Sequence, residues 1–377
     1  MTSLRPDAAE QRAANDRRLP QVDLNSSPFT VAWEITRACA FACLHCRAEA
    51  QPRRDPRELT TEEAFGVIRQ IRGTGDPILV ITGGDPLMRP DVFDLLSYAV
   101  QLGLRTSLTP TATALVTPRN LARAREAGVS RIAISLDGPN AELHDRFRGF
   151  SGSFHRTMRI IDHVREAGLA LQINTTITRH NLPMLDPMPE LTARSGAVQW
   201  SVFFLVPTGR GRLQDMISAE EHEYVFNWLY DISRTAPYDV KATAAPAYRR
   251  VAIQRAREDG ASGPVAGAGY RFQDGLNRPS VSINDGVGFA FIAQTGDVYP
   301  SGFLPLTAGN VRERPFSHIY RESPLFRQLR DPSLLKGKCG ACDFRSVCGG
   351  SRARSYGVTG DYLAPDPSCV YEPPKAT

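Results

Sequence analysis

The sequence predicts an α/β protein: six strand-then-helix units in an open parallel sheet, followed by a smaller, loop-rich module. Three observations predict it. Short apolar runs alternate with helix-length amphipathic stretches from residue 29 to about 235. The residues of unusual chemistry gather just after the strands. Near residue 238 the alternation stops and gives way to a glycine- and alanine-rich stretch. Six units are too few to close an eight-stranded barrel, so a partial barrel and a doubly wound sheet remain the two architectures.

Residues 1–28 are polar, lack apolar periodicity and read as a flexible arm. FTVAWEI (29–35) is the first strand and leads into a loop holding Cys39, Cys43 and Cys46. LTTEEAFGVIRQIRG (59–73) reads as a helix with Thr60 or Thr61 as N-cap and acids in its first turn. PILVITGG (77–84) is a buried strand ending in glycines, and DVFDLLSYAVQLG (91–103) a helix stopped by Gly103. RTSLTP (105–110) is the third strand and TPRNLARAREAG (117–128) the next helix. SRIAISLDG (130–138), LALQINTTIT (169–178) and AVQWSVFFLVP (197–207) complete the strands, with helices near 153–167, 186–194 and 218–234. The cysteine loop, TGGDP, LTPTAT, SLDG and LVPTGRG all follow strand C-termini. In parallel α/β folds that edge carries the site, so these loops are expected to face one cavity.

Residues 239–377 read as the second module: a short helix, a linker, then the short strands SVSIND, FAFIAQTGDVYP and GFLPL. The chain has 377 residues, 42% hydrophobic and 23% charged, with a net charge of +5, which fits an ordinary water-soluble protein. Its arginines are scattered, so no nucleic-acid partner is expected. The polar N-terminus is unlike a signal peptide, and no run approaches the roughly 18 apolar residues of a membrane span. A cytoplasmic location is therefore expected. Disulfides are rare there, and seven cysteines would leave one unpaired, so metal binding or catalysis is the better reading.

Three thiols at 39, 43 and 46 leave a metal site one ligand short, and an open position is what chemistry needs. Structural zinc, or thiols that are merely buried, stay open on spacing alone. With the strand before it, the Cx3Cx2C loop resembles the radical S-adenosylmethionine (radical SAM) superfamily. The resemblance implies a [4Fe–4S] cluster on Cys39, Cys43 and Cys46, whose unique iron chelates SAM and whose electron cleaves it to a 5′-deoxyadenosyl radical. It also implies SAM contacts. Gly83, Gly84, Asp85 and Pro86 match the family's GGEP-type motif, with Asp85 in place of glutamate. Ser135 and Arg148 match a serine and an arginine that contact SAM, and a guanidinium fork suits a carboxylate. Asn174 and Val206 match ribose- and adenine-side positions, and His45 the aromatic position near the adenine.

Cys339, Cys342, Cys348 and Cys369 could complete a zinc site or a second [4Fe–4S] cluster. The segment resembles the C-terminal auxiliary-cluster module of SPASM and Twitch radical SAM enzymes, including those of heme biosynthesis and of peptide and cofactor maturation. The resemblance thus implies a partial (β/α)6 TIM barrel with a small C-terminal iron–sulfur module. Full SPASM domains carry a further cysteine where this chain has Ser301, so one auxiliary cluster is expected. Three plus four ligands leave no free thiol, which favours an oxidative reaction with the auxiliary cluster as acceptor. A redox-neutral radical epimerase acting on a sugar would need another hydrogen donor, for which Tyr299 and Tyr356 are candidates. A non-catalytic zinc protein is the rival class. The expected partners are a small-molecule or peptide substrate, a tetrapyrrole side chain among them, and an electron donor of the flavodoxin or ferredoxin type.

Overall fold

A computed structural model describes residues 23–260 and 283–374. The first 22 residues of the expected arm, the glycine-rich linker and the start of SVSIND lie outside the described residues. The last residues of that arm do not behave as a solvated tail: Leu24 is buried, and its carbonyl accepts a 2.6 Å hydrogen bond from the Tyr320 hydroxyl.

The predicted units form in order. They are β1 (Thr30–Glu34), α1 (Thr61–Arg72), β2 (Ile78–Thr82), α2 (Val92–Gln101), β3 (Thr106–Leu108) and α3 (Pro118–Glu126). Next come β4 (Arg131–Ser135), α4 (Ala141–Arg148), α5 (Ser153–Glu166), β5 (Leu171–Ile177), α6 (Met188–Arg194), β6 (Gln199–Phe204) and α7 (Ala219–Thr235). Thr60 is the N-cap of α1: its hydroxyl accepts from the Glu63 amide and Glu63 returns the bond, a capping box. Ala64, Val67, Ile68 and Ile71 are the buried stripe of that helix, one face at helical spacing.

One departure concerns the second module. Asp239–Thr243 forms a seventh parallel strand, β7, paired with β6 and followed by α8 (Ala247–Glu258). A five-residue DVKAT run carries little strand signal by itself; pairing along β6 decides it. Beyond the linker, β8 (Phe289–Ile292) pairs in parallel with β1, with Thr30 opposite Phe289 and Trp33 opposite Ile292. Then β9 (Asp297–Tyr299) and β10 (Gly309–Asn310) extend the edge antiparallel. Among the described residues the sheet has ten strands in the order β10-β9-β8-β1-β2-β3-β4-β5-β6-β7 and stays open. Residues after 238 therefore supply both of its flanks. GFLPL makes no strand; only an isolated bridge joins Ser301 to Leu304.

Short helices follow: α9 (Phe316–Glu322), α10 (Pro324–Arg330), α11 (Gly337–Ala341) and α12 (Arg352–Thr359). The main core lies between the sheet and the helices covering it, around Trp33, Ile81, Ile134, Ile173 and Trp200. Emptying a site such as Trp33 costs about 3–5 kcal/mol in cores of this kind. Among the described residues no helix is long and apolar enough to cross a membrane.

Candidate active site

The C-terminal ends of β1 to β6 open on one cavity of about 1090 Å³, its mouth included, as their loops predicted. Three loops are laced together at its floor. The Gly84 amide donates to Thr36 O at 2.8 Å and the Asp85 amide to Ala38 O at 2.7 Å, so the TGGDP loop hangs on the cysteine loop. Only glycine permits this approach: a Cβ on Gly84 would lie 2.5 Å from Ala38 O and 2.6 Å from Arg37 O. From the loop after β6, Arg210 reaches Cys43 O at 2.9 Å and Ala50 O at 3.2 Å. Asp85 faces away from the cavity and fixes two neighbours, accepting from Thr113 Oγ1 at 2.7 Å and the Leu87 amide at 3.2 Å. Burial pushes its carboxyl up to about 6.

Cys39, Cys43 and Cys46 share the cavity with Gly83, Gly84, Ser135, Arg148, Asn174, Val206 and His45. Expectations from scattered parts of the sequence thus converge, apart from Asp85 and Pro86, whose side chains do not line it. Arg148 ends α4, where Gly149 in the left-handed conformation stops the helix. Its Nη2 lies 2.6 Å from Asp137 Oδ2 and its Nη1 3.7 Å from Cys43 Sγ. Its Nε is buried without a partner, a donor left for a ligand. Burial, the largest single influence, would raise the Asp137 carboxyl, but the Arg148 guanidinium together with His45, His144 and the Thr176 amide outweighs it and holds the group below the usual carboxylate range. The His45 ring packs on Phe147 at 4.4 Å, its Nδ1 buried and unpartnered, and burial holds it at about 4, neutral at pH 7.

Sequence reasoning missed Arg47, Thr111, Phe203 and Phe303, which also line the cavity. Arg47 carried one available signal, its place directly after Cys46. The aromatic pair comes from β6 and the C-terminal segment, which no local pattern joins. Tyr299 lies outside the lining, stacked on Phe291, and Tyr356 packs beside the apolar cluster of Val206 and Leu304. Neither side chain is part of the cavity lining.

The four distal cysteines line a second hollow, of about 380 Å³ with the open solvent at its mouth included, together with Arg250, Lys338 and Phe344. Backbone amides point at the sulfurs: Phe344 N to Cys342 Sγ, Gly350 N to Cys348 Sγ and Asp366 N to Cys339 Sγ, each at 3.4 Å. Buried Arg352 adds Nη2 at 3.7 Å from Cys339 Sγ. Burial pushes the Cys348 thiol up to about 12, so it ionises only when positive charge arrives. None of the seven cysteines is paired in a disulfide. Ser301 is buried and turned into its own loop, its hydroxyl accepting from Phe303 N at 3.3 Å.

Residues 33–185 match the family model described as the radical SAM superfamily. The chain is 47% identical over 347 residues to an AdoMet-dependent heme synthase of Oleidesulfovibrio alaskensis, covering 92% of this chain and 88% of that one. It belongs to the radical SAM superfamily. An AdoMet-dependent heme synthase of Methanosarcina barkeri is 42% identical, covering 94% and 99% of the two chains. In fold, this radical SAM chain is similar to Streptococcus suis SuiB bound to S-adenosylmethionine, with TM-score 0.67, 16% identity, and 92% and 78% coverage.

The residues present fit the groups that a radical SAM enzyme needs. A glycine cradle, an orphaned His45 Nδ1 and an orphaned Arg148 Nε border the three thiols of the first cavity. Among the described residues, no three His, Cys, Asp or Glu side chains are drawn in to one common point as ligands of a single metal ion would be.

Proposed function

We propose that this radical SAM enzyme forms heme by oxidatively removing side-chain carboxylates from an iron porphyrin. The observation that carries the reading is the 47% identity, over 92% of the chain, to a protein named AdoMet-dependent heme synthase. The cavity supports it chemically. Phe203 and Phe303, with ring centroids 6.3 Å apart, form an aromatic wall suited to a flat macrocycle, and Arg47 and Arg148 supply cations.

Cys39, Cys43 and Cys46 would hold the SAM-binding [4Fe–4S] cluster. With SAM bound, that pair supplies a primary carbon radical able to take an unactivated hydrogen. The protein's part is to bind, orient and exclude water. Gly83 and Gly84 let backbone approach the cofactor, and Arg148 sets charge beside Cys43. On the substrate, a propionate that gives up one hydrogen atom, one electron and carbon dioxide becomes a vinyl group. Cys339, Cys342, Cys348 and Cys369 would hold one further [4Fe–4S] cluster, whose chemistry is to accept single electrons.

The test is anaerobic turnover of the reconstituted enzyme with iron coproporphyrin III, SAM and dithionite in deuterium oxide. The expected product is lighter by carbon dioxide and two hydrogens per reacting side chain, with one 5′-deoxyadenosine formed for each. A product of unchanged hydrogen count that carries deuterium would mean epimerisation and overturn the reading. So would 5′-deoxyadenosine formation that iron coproporphyrin III does not stimulate.

A further inference from the structure

Glu34 closes β1 with a fully buried carboxylate, and two arginines share it: Arg37 Nε at 2.9 Å and Arg47 Nη1 at 2.9 Å. One carboxylate against two guanidiniums leaves positive charge at this point. Arg37 is a third exposed, but Arg47 lines the cavity of the three thiols. The Arg47 guanidinium lies 4.4 Å above the Phe291 ring, a platform supplied by β8. Gly302 leaves room for it, since a Cβ there would stand 2.8 Å from Arg47 Nε. Beyond the ion pair and the ring contact, the Arg47 side chain has no further polar partner among the described residues. It is a rigidly mounted cation with most of its N–H donors free. Phe203 and Phe303 line the same cavity.

We propose that Arg47 is the carboxylate subsite of the substrate pocket, and that it grips a propionate the product keeps. This rests on the heme-forming reading above. A planar fork pairs with a carboxylate through two parallel hydrogen bonds. Such a grip stabilises the carboxylate before reaction and opposes its loss as carbon dioxide. It therefore suits a side chain that is retained and that registers the macrocycle against the radical.

Heme itself is the probe, because it carries only retained propionates. Titration of the iron-loaded protein with heme, followed by absorbance, is compared with heme dimethyl ester. The expected result for Arg47→Gln is heme binding weakened on the order of tenfold to a hundredfold. The ester should bind both proteins equally weakly, and Arg47→Lys should restore part of the loss. Gly302→Ala crowds the guanidinium without touching Glu34 and should show the same ester-sensitive loss, even if Arg47→Gln does not fold. An equal loss for heme and its ester would make Arg47 a packing residue and overturn the proposal. Dependence on Arg47 for iron coproporphyrin III but not for heme would place a reacting carboxylate there and overturn it too. If the wild type binds neither heme nor iron coproporphyrin III, the heme-forming reading falls with it, whereas ester-insensitive binding sinks the Arg47 proposal alone.

Discussion

Arg148 and Asp137 form a buried ion pair, Nη2 to Oδ2 2.6 Å, and the same guanidinium reaches back to Cys43 Sγ at 3.7 Å. The loop after β4, the end of α4 and the cysteine loop are thus tied by one charge. Arg148→Ala strands Asp137, which should cost about 3–5 kcal/mol of stability in urea denaturation. Adding Asp137→Asn should return part of that, since the neutral side chain can still accept from the Thr176 amide as the Asp137 carboxylate does at 2.8 Å. No recovery in the double variant would mean that the pair is not what matters.

Replacing Cys39, Cys43 and Cys46 together by alanine should remove one cluster, lowering iron from about eight to about four per chain. SAM cleavage should vanish while the distal iron remains. Chemical iron analysis with Mössbauer counting checks it, and three clusters in the wild type would refute the single-auxiliary assignment that Ser301 supports.

Gly84→Ala drives a methyl into two backbone carbonyls of the cysteine loop. Neither can move as a flexible side chain could. SAM affinity should fall at least tenfold on this argument from steric contact, while iron at the distal thiols is unchanged. Equilibrium dialysis with labelled SAM measures the effect, and undiminished affinity would show that the loops separate freely.

Arg352 is a buried cation 3.7 Å from Cys339 Sγ. Positive charge and hydrogen bonding at a ligand sulfur favour the reduced, more negative cluster. Arg352→Gln should therefore lower the midpoint potential of the distal cluster and leave that of the SAM-binding cluster in place. An EPR-monitored redox titration reads both, and an unshifted distal potential would refute the coupling.

His144 and His222 are buried and held at about 4, in both cases because burial disfavours the charged ring, with Arg148 and Arg354 respectively adding to it. An unfolded histidine titrates near 6.5. Between about pH 6.5 and 4 the unfolded chain then binds more protons, so stability is full above that window and falls as pH falls through it. Each group contributes about 3 kcal/mol at most. His222→Phe keeps the stack on Phe204 but loses the 2.7 Å bond from Nδ1 to Ser218 O. The variant should be less stable than wild type at pH 7.5, and the gap should shrink or reverse by pH 5. A gap independent of pH in urea midpoints would sink this.

Much of the site could be read along the chain because its chemistry is local. Three thiols within eight residues after a strand, two glycines ending the next strand, and a capped helix start at Thr60 each depend only on neighbours in sequence. The unit order and the gathering of loops at one sheet edge follow from parallel connections that permit little else. What tertiary structure alone decided are the contacts between distant segments. DVKAT became β7 because β6 offered a free edge, and FAFI became β8 because β1 did. Pairing against burial set the state of Asp137, held across eleven residues by a helix that brings Arg148 back. Arg47 became a cavity residue only when Glu34, Phe291 and Gly302, from two ends of the chain, closed around it. Sequence periodicity reports a residue's own neighbours, whereas charge pairs closed by the fold, and a ring contact such as that of Arg47 on Phe291 across more than two hundred residues, depend on packing that no local pattern encodes.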